Sequence, residues 1–177
     1  MIRVRKMERR DVPSVCWVVQ AAYEFLADEQ GYSRKQRRRL LEERCSPEWV
    51  GPQFLRWRSF VAVSGRRVVG ALAVNGADIE ELFVHPEEHR HGIGTRLFLK
   101  AEEVIADDGH PHLIVRTTGY AVPFYEGMGA RVIGKERVTC GPLVGWQCTV
   151  LSKDITKKRR RARPVASPEP PRDPHAT

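Results

Sequence analysis

The chain has 177 residues, 41% hydrophobic and 29% charged, with a formal net charge of +8. That length suits one domain with a sizeable core and is short for two, and no apolar run approaches what a bilayer span requires. The charge is uneven: from Ser152 onward eight Lys/Arg face three acids, so the end of the chain carries +5 and residues 1–151 only +3, which argues against a domain-wide nucleic-acid surface.

Ile2-Arg3-Val4-Arg5 alternates apolar and basic residues and predicts a first strand with one buried face. Asp11 offers an N-cap oxygen and Pro13 fits a first turn. Val12, Val15, Val19, Ala22 and Leu26 then follow at helical spacing, so a helix is expected to end before Gly31. Ser33 with Gln36 forms a capping-box pattern for a second helix over 34–44. Its Arg34, Lys35, Arg37, Arg38 and Arg39 read as a solvated basic face. Ser46-Pro47-Glu48 starts another helix, which Gly51-Pro52 is expected to interrupt.

From Ser59 the pattern turns to strands. Residues 59–63 and 68–74 flank a turn at Ser64-Gly65-Arg66 and predict an antiparallel hairpin. A third strand covers 79–84 and is stopped by Pro86. Residues 95–107 read as a helix with Leu97, Ala101, Val104 and Ile105 inward. Residues 112–116 form a short apolar strand, expected to be buried on both faces. Residues 122–127 form a short helix closed by Gly129, and 131–139 and 146–151 are two closing antiparallel strands. After Ile155 a basic run and five prolines predict a tail without order.

Cys16, Cys45, Cys140 and Cys148 form no C-x-x-C pair and share no metal-type spacing with histidines, so free thiols and no metal are expected. The basic start leads into no apolar run of secretory type, which makes the cytoplasm the expected compartment, without membrane attachment. Lys157–Arg163 lacks interleaved aromatics. Nucleic-acid contact by this tail would be nonspecific and salt-dependent, and a solubilising tail is the simpler reading.

The most informative segment runs from Leu82 to Thr95: a strand, a loop with Gly92 and Gly94, then a helix start. Such a turn leaves several backbone N–H groups pointing at one spot in front of the positive end of a helix dipole, which suits a pyrophosphate. Arg90 and His91 add basic side chains. A Walker Lys-Ser/Thr and the full G-x-G-x-x-G spacing are both missing, which disfavours nucleoside triphosphates and dinucleotides.

Val84-x-Pro86 followed by His89-x-x-Gly92-x-Gly94 resembles motif A of the GNAT superfamily of acetyl-CoA-dependent N-acetyltransferases. Ala121-Val122-Pro123-Phe124-Tyr125-Glu126-x-x-Gly129 resembles its motif B. The order and separation of the two also match, over roughly residues 2–152. The sequence departs at His89 (usually Gln or Arg), Arg90 (commonly Gly), Thr118 (often Asn) and Ala130 (usually Phe).

The resemblance implies an α/β (α+β) domain over residues 1–155, with a mixed, mostly antiparallel sheet of six to seven strands flanked by helices, and a disordered tail over 156–177. It implies acetyl transfer from acetyl-CoA to a primary amine of a small molecule or peptide, by direct attack in a ternary complex. His89, Arg90, His91, Gly92, Ile93, Gly94 and Thr95 would hold the pyrophosphate. Leu82, Phe83 and Val84 would pair with the pantetheine arm, and a backbone N–H near Phe83 or Val84 would face the thioester carbonyl. Tyr125 would be the general acid. For the base, Glu80 and Glu81 lead and Asp78 follows, with relay through water also open and His85, beside the strand-ending Pro86, a lesser alternative; strand alternation puts Asp78 and Glu80 on one face and Glu81 on the other, unless a bulge shifts them. Tyr23, Trp49, Trp57 and Trp146 are candidates to line the acceptor site. Dimers are common in the superfamily, which leaves a homodimer open. The alternative function is a non-catalytic acyl-CoA-binding or sensing domain.

Overall fold

The computed structural model describes residues 1–139 and 144–155. The expectations for Cys140 and for the tail after residue 155 fall outside the described residues. Among the described residues, seven strands form one sheet in the order β1-β2-β3-β4-β5-β7-β6. They are β1 (Ile2–Lys6), β2 (Arg58–Ser64), β3 (Arg67–Asn75), β4 (Asp78–Val84), β5 (His112–Thr117), β6 (Arg131–Arg137) and β7 (Gln147–Asp154). Every neighbouring pair is antiparallel except β4 and β5, which are parallel. That is the mixed, mostly antiparallel sheet that the resemblance implied.

Helices cover both faces. On one side α1 (Val12–Glu29), α2 (Arg34–Arg44) and α3 (Pro47–Arg56) pack on Val61, Val63, Val68, Ala71 and Ala73. On the other, α4 (Ile93–Asp107) and α5 (Val122–Gly127) pack on Leu72, Val74, Ile79, Leu113, Val115 and Leu151. The central β3 is buried from Val68 to Val74 on both faces, which explains its unbroken apolar run. Gly70 lies where a Cβ would meet Leu97, Ile93 and the Phe83 carbonyl at 3.0–3.1 Å, so it lets the start of α4 press onto the sheet.

The Ser33–Gln36 capping box forms reciprocally, and α2 spans the predicted 34–44. Three expectations need correction. Asp11 stands before α1, but its carboxylate does not cap the helix; it accepts the Arg5 guanidinium at 2.7 Å through both oxygens and the Glu8 N–H at 2.8 Å. A charged two-pronged donor outweighs a single backbone N–H. Gly51-Pro52 does not interrupt α3, which runs on to Arg56. Val50, Gly51 and Phe54 are buried there, and Gly51 sits against Val12, so tertiary packing holds the helix through the proline. Finally, β5 is not buried on both faces: Leu113 and Val115 are buried, while His112 and Arg116 are exposed and Ile114 is half-buried. The face opposite α4 borders an open cleft.

Candidate functional site

The cleft follows from how β4 is built. β4 and β5 pair only at Asp78–Ile114 and Ile79–Val115. Beyond Ile79 the strands separate, and the β5-facing edge of β4 from Glu80 to Val84 has no strand partner. Unpaired backbone groups in a protein interior call for a partner of another kind. On its other edge β4 pairs with β3 through a bulge: Glu81 faces Ala73 and Ile79 faces Val74, so Glu80 is the extra residue. The bulge shifts the alternation. Ile79, Leu82 and Val84 join the core under α4, while Phe83 packs on the α1 side with its ring 5.2 Å from that of Tyr23. Glu81 faces that same side.

The resulting cleft has a volume of about 620 Å³. Glu80, Glu81, Leu82, Phe83, Val84, His89 and Tyr125 all line it, as do Tyr23, Trp49 and Trp57 of the expected acceptor wall. Trp146 packs instead on Tyr32, with ring centroids 4.7 Å apart. Asp78 does not line the cleft; its carboxylate accepts from Arg116 Nη1 at 2.5 Å.

Glu81 is the most perturbed acid. Its side chain retains 10% exposure, and burial pushes it up to about 7 against the pull of Arg44. Arg44 Nη2 donates to Glu81 Oε1 at 2.5 Å. The guanidinium lies 4.2 Å over the Trp49 ring and 5.8 Å from that of Tyr23. Arg44 Nε is buried without a hydrogen-bond partner among the described residues, which costs on the order of 1–3 kcal/mol. Glu80 is exposed and accepts from Asn75 Nδ2 at 2.9 Å. Tyr125 is buried, and burial followed by the nearby Glu81 charge raises its hydroxyl well above the usual phenol range.

Sequence reasoning missed Arg44 as well as Phe25, Gln53 and Tyr120, which also line the cleft. A signal for Arg44 existed: it lies one turn beyond the buried Leu40 and so shares the inward face of α2. The ring of His89 packs edge-on to Phe25, which in turn meets Tyr120, and His89 Nε2–H donates to the Val84 carbonyl at 3.2 Å. His85 lies outside the cleft, buried and stacked on Trp17.

The loop beyond His89 does not line the cleft itself. Arg90 adopts φ 64°, the left-handed conformation for which glycine is the usual residue, and Gly92 follows at φ 72°. α4 begins at Ile93 with no side-chain cap, so the first-turn N–H groups have no partner within the helix. The Ile93 side chain is buried in the core, leaving only its backbone for a ligand. Gly94 has a packing role that the motif did not reveal: a Cβ there would sit 3.3 Å from the Phe124 ring. Thr95, Arg90 and His91 are exposed, with His91 Nδ1 3.6 Å from Glu88. Among the described residues no group of three or more His, Cys, Asp or Glu could hold a metal ion, and no helix is long and apolar enough to cross a membrane. Cys16, Cys45 and Cys148 are free.

The sheet is split at its one parallel pair, and the uncapped start of α4 lies beside the split. The family profile described as an acetyltransferase (GNAT) domain matches residues 29–143, and the chain belongs to that family. Solved structures share the fold. A GCN5-related N-acetyltransferase from Rhodopseudomonas palustris superposes with TM-score 0.77 at 20% identity, covering 86% of this chain and 94% of that one. A PaiA N-acetyltransferase from Thermoplasma acidophilum, in complex with coenzyme A, gives 0.71 at 18% identity, with 87% and 99% covered. An aminoglycoside 6'-N-acetyltransferase complexed with coenzyme A gives 0.62 at 16%, with 87% and 97% covered. No curated protein matches the chain by sequence.

Proposed function

We propose that the protein transfers the acetyl group of acetyl-CoA to a primary amine by direct attack within the cleft. The observation that carries this reading is the splay of β4 from β5, which opens the edge of residues 80–84 between a carboxylate of 10% exposure and a buried phenol. The similar folds solved with coenzyme A support the choice of co-substrate, and so does the fit of the residues present. Leu82, Phe83 and Val84 offer backbone groups to an extended amide-bearing arm. The loop of His89, Arg90, His91, Gly92, Ile93, Gly94 and Thr95 leads into the uncapped start of a 15-residue helix, whose first-turn N–H groups suit a pyrophosphate. His89 must turn away from the Val84 carbonyl for the arm to pair there.

The co-substrate supplies the acetyl group as a thioester. The chain's own part is threefold. Glu81, at about 7, is poised to take the proton of an ammonium acceptor near neutral pH. A β4 backbone N–H near Phe83 or Val84 donates to the carbonyl oxygen as negative charge grows on it. Tyr125 stays protonated throughout the neutral range and presents its hydroxyl to the departing sulfur. Glu80, exposed and bound to Asn75, is the second candidate base, and Asp78 is left out by its tie to Arg116. The amine enters between Tyr23, Trp49 and Trp57. It comes from a small molecule or a peptide and reacts in the cytoplasm.

Calorimetry with coenzyme A, followed by thiol release from acetyl-CoA over a panel of primary amines, tests the reading. Binding with turnover is expected. Binding without turnover on any amine would favour a sensing domain, and no binding heat would overturn both.

A further inference from the structure

We infer that Arg44, at the end of α2, is the positioning residue of the acetyl-transfer reaction, aiming the Glu81 carboxylate at the acceptor amine. This rests on the function proposed above.

Four groups face Glu81: Arg44 from α2, Tyr23 from α1, Tyr125 from α5, and Glu80 on its own strand. Both tyrosines are neutral, held above their usual range chiefly by burial, and Glu80 repels. Arg44 is thus the one cation of the four. Without it, burial and Glu80 act together to keep the carboxyl protonated, and a protonated carboxyl cannot take a proton from an amine.

Geometry adds direction to charge. The guanidinium is clamped over Trp49, whose backbone N–H is held by the Ser46 hydroxyl at 3.3 Å. From that fixed plane Nη2 engages Oε1, and among the described residues Oε2 accepts no hydrogen bond. The proton leaving the amine nitrogen can pass to Oε2 and then to solvent through the cleft mouth. Because the Arg44 Nε is buried without a partner, the pair is poorly made for stability alone. A lysine would keep the charge but lose the flat stack that sets the angle.

The test pairs a titration with a rate profile. Glutamate side-chain carboxyls labelled with carbon-13 are followed by NMR from pH 5 to 9 in the full-length protein, with Glu81 assigned through Glu81→Gln. In parallel, kcat and KM are measured by thiol release with benzylamine, spermidine and a lysine-containing peptide. In Arg44→Met, the Glu81 midpoint and the acid limb of kcat should both move up by about one pH unit. KM should change less than about threefold, since the guanidinium is taken up by Glu81 and the Trp49 ring. Arg44→Lys should recover the midpoint more fully than it recovers kcat. Trp49→Leu, which removes the stack and keeps the cation, should lower kcat with little movement of the midpoint and serves if Arg44→Met does not fold. An unmoved limb in Arg44→Met, or a uniform loss at every pH, would overturn the inference while leaving acetyl transfer standing. Coenzyme A binding without turnover by the wild type would instead strike the function itself.

Discussion

The two sides of the proposed site are made of different material. The wall proposed for the co-substrate is main chain: the open edge of β4 and the uncapped start of α4. The wall proposed for the acceptor is side chain: Tyr23 from α1, Arg44 from α2, Trp49 and Trp57 from and just after α3, and Glu81 from β4. A backbone wall tolerates exchange of its side chains as long as the path of the chain survives. A side-chain wall depends on each residue and on the helices that bring them together. Arg90 shows the first half of this contrast: it takes a left-handed φ of 64° where the family commonly has glycine, and the loop still closes.

The contrast can be broken by experiment. The largest expected effects lie at single side chains of the chemical step. Tyr125→Phe should lower kcat by about 100-fold or more, with coenzyme A affinity by calorimetry almost unchanged; a wild-type kcat across pH would remove Tyr125 from the chemistry. Glu81→Gln should lower kcat similarly. The sign of the pH dependence follows from its raised value: the carboxylate is active above about 7, so wild-type kcat/KM should fall roughly tenfold per unit as pH drops below it. With the same amine, that limb should be absent in Glu81→Gln.

On the backbone wall, only changes that deform the path should matter. Gly94→Val drives a side chain into the Phe124 ring, 3.3 Å from the Cβ position, and should weaken coenzyme A binding by roughly 100-fold in calorimetry. Away from both walls, Asp11→Asn leaves the Arg5 guanidinium without its carboxylate and should cost about 2 kcal/mol in urea unfolding at pH 7. Asp11 is held below its usual 3.8, first by the Arg5 hydrogen bond. Its stabilisation is therefore complete above that value and lost as pH falls through the lowered one. The smallest effect is expected from Arg90→Gly. Relief of the left-handed φ and the greater freedom of the unfolded chain oppose each other, so stability should change by less than about 1 kcal/mol. Coenzyme A affinity should stay within a few-fold; a large loss would mean that the Arg90 side chain, not the path, holds the co-substrate.

Local signals read well where one short segment contains its own cause. The Ser33–Gln36 box marked the start of α2, Pro86 the end of β4, and Gly92 the turn into α4, although α4 starts at Ile93 and takes in Gly94, two residues earlier than the expected start at Thr95. They failed where a distant segment decided. Pro52 was tolerated because Gly51 meets Val12 and Phe54 is buried. The Asp11 carboxylate turned to Arg5 across the first strand turn. Arg44 was absent from the expected basic face and from the expected site: its spacing from Leu40 places it inward, but nothing within α2 reveals that Trp49 and Glu81 lie there.

By itself, the sequence determined the elements, their order and the two motifs that carry the family. These rest on propensity, capping and spacing, which act within a few residues. Only the tertiary structure decided which acid matters, since the bulge at Glu80 turns Glu81 toward α1 and α2, and the parting of β4 from β5 makes the cleft that buries it. The tuning of a carboxyl near neutrality comes from lost solvent and a guanidinium 37 residues away in the chain. Both effects exist only once separate segments exclude water together.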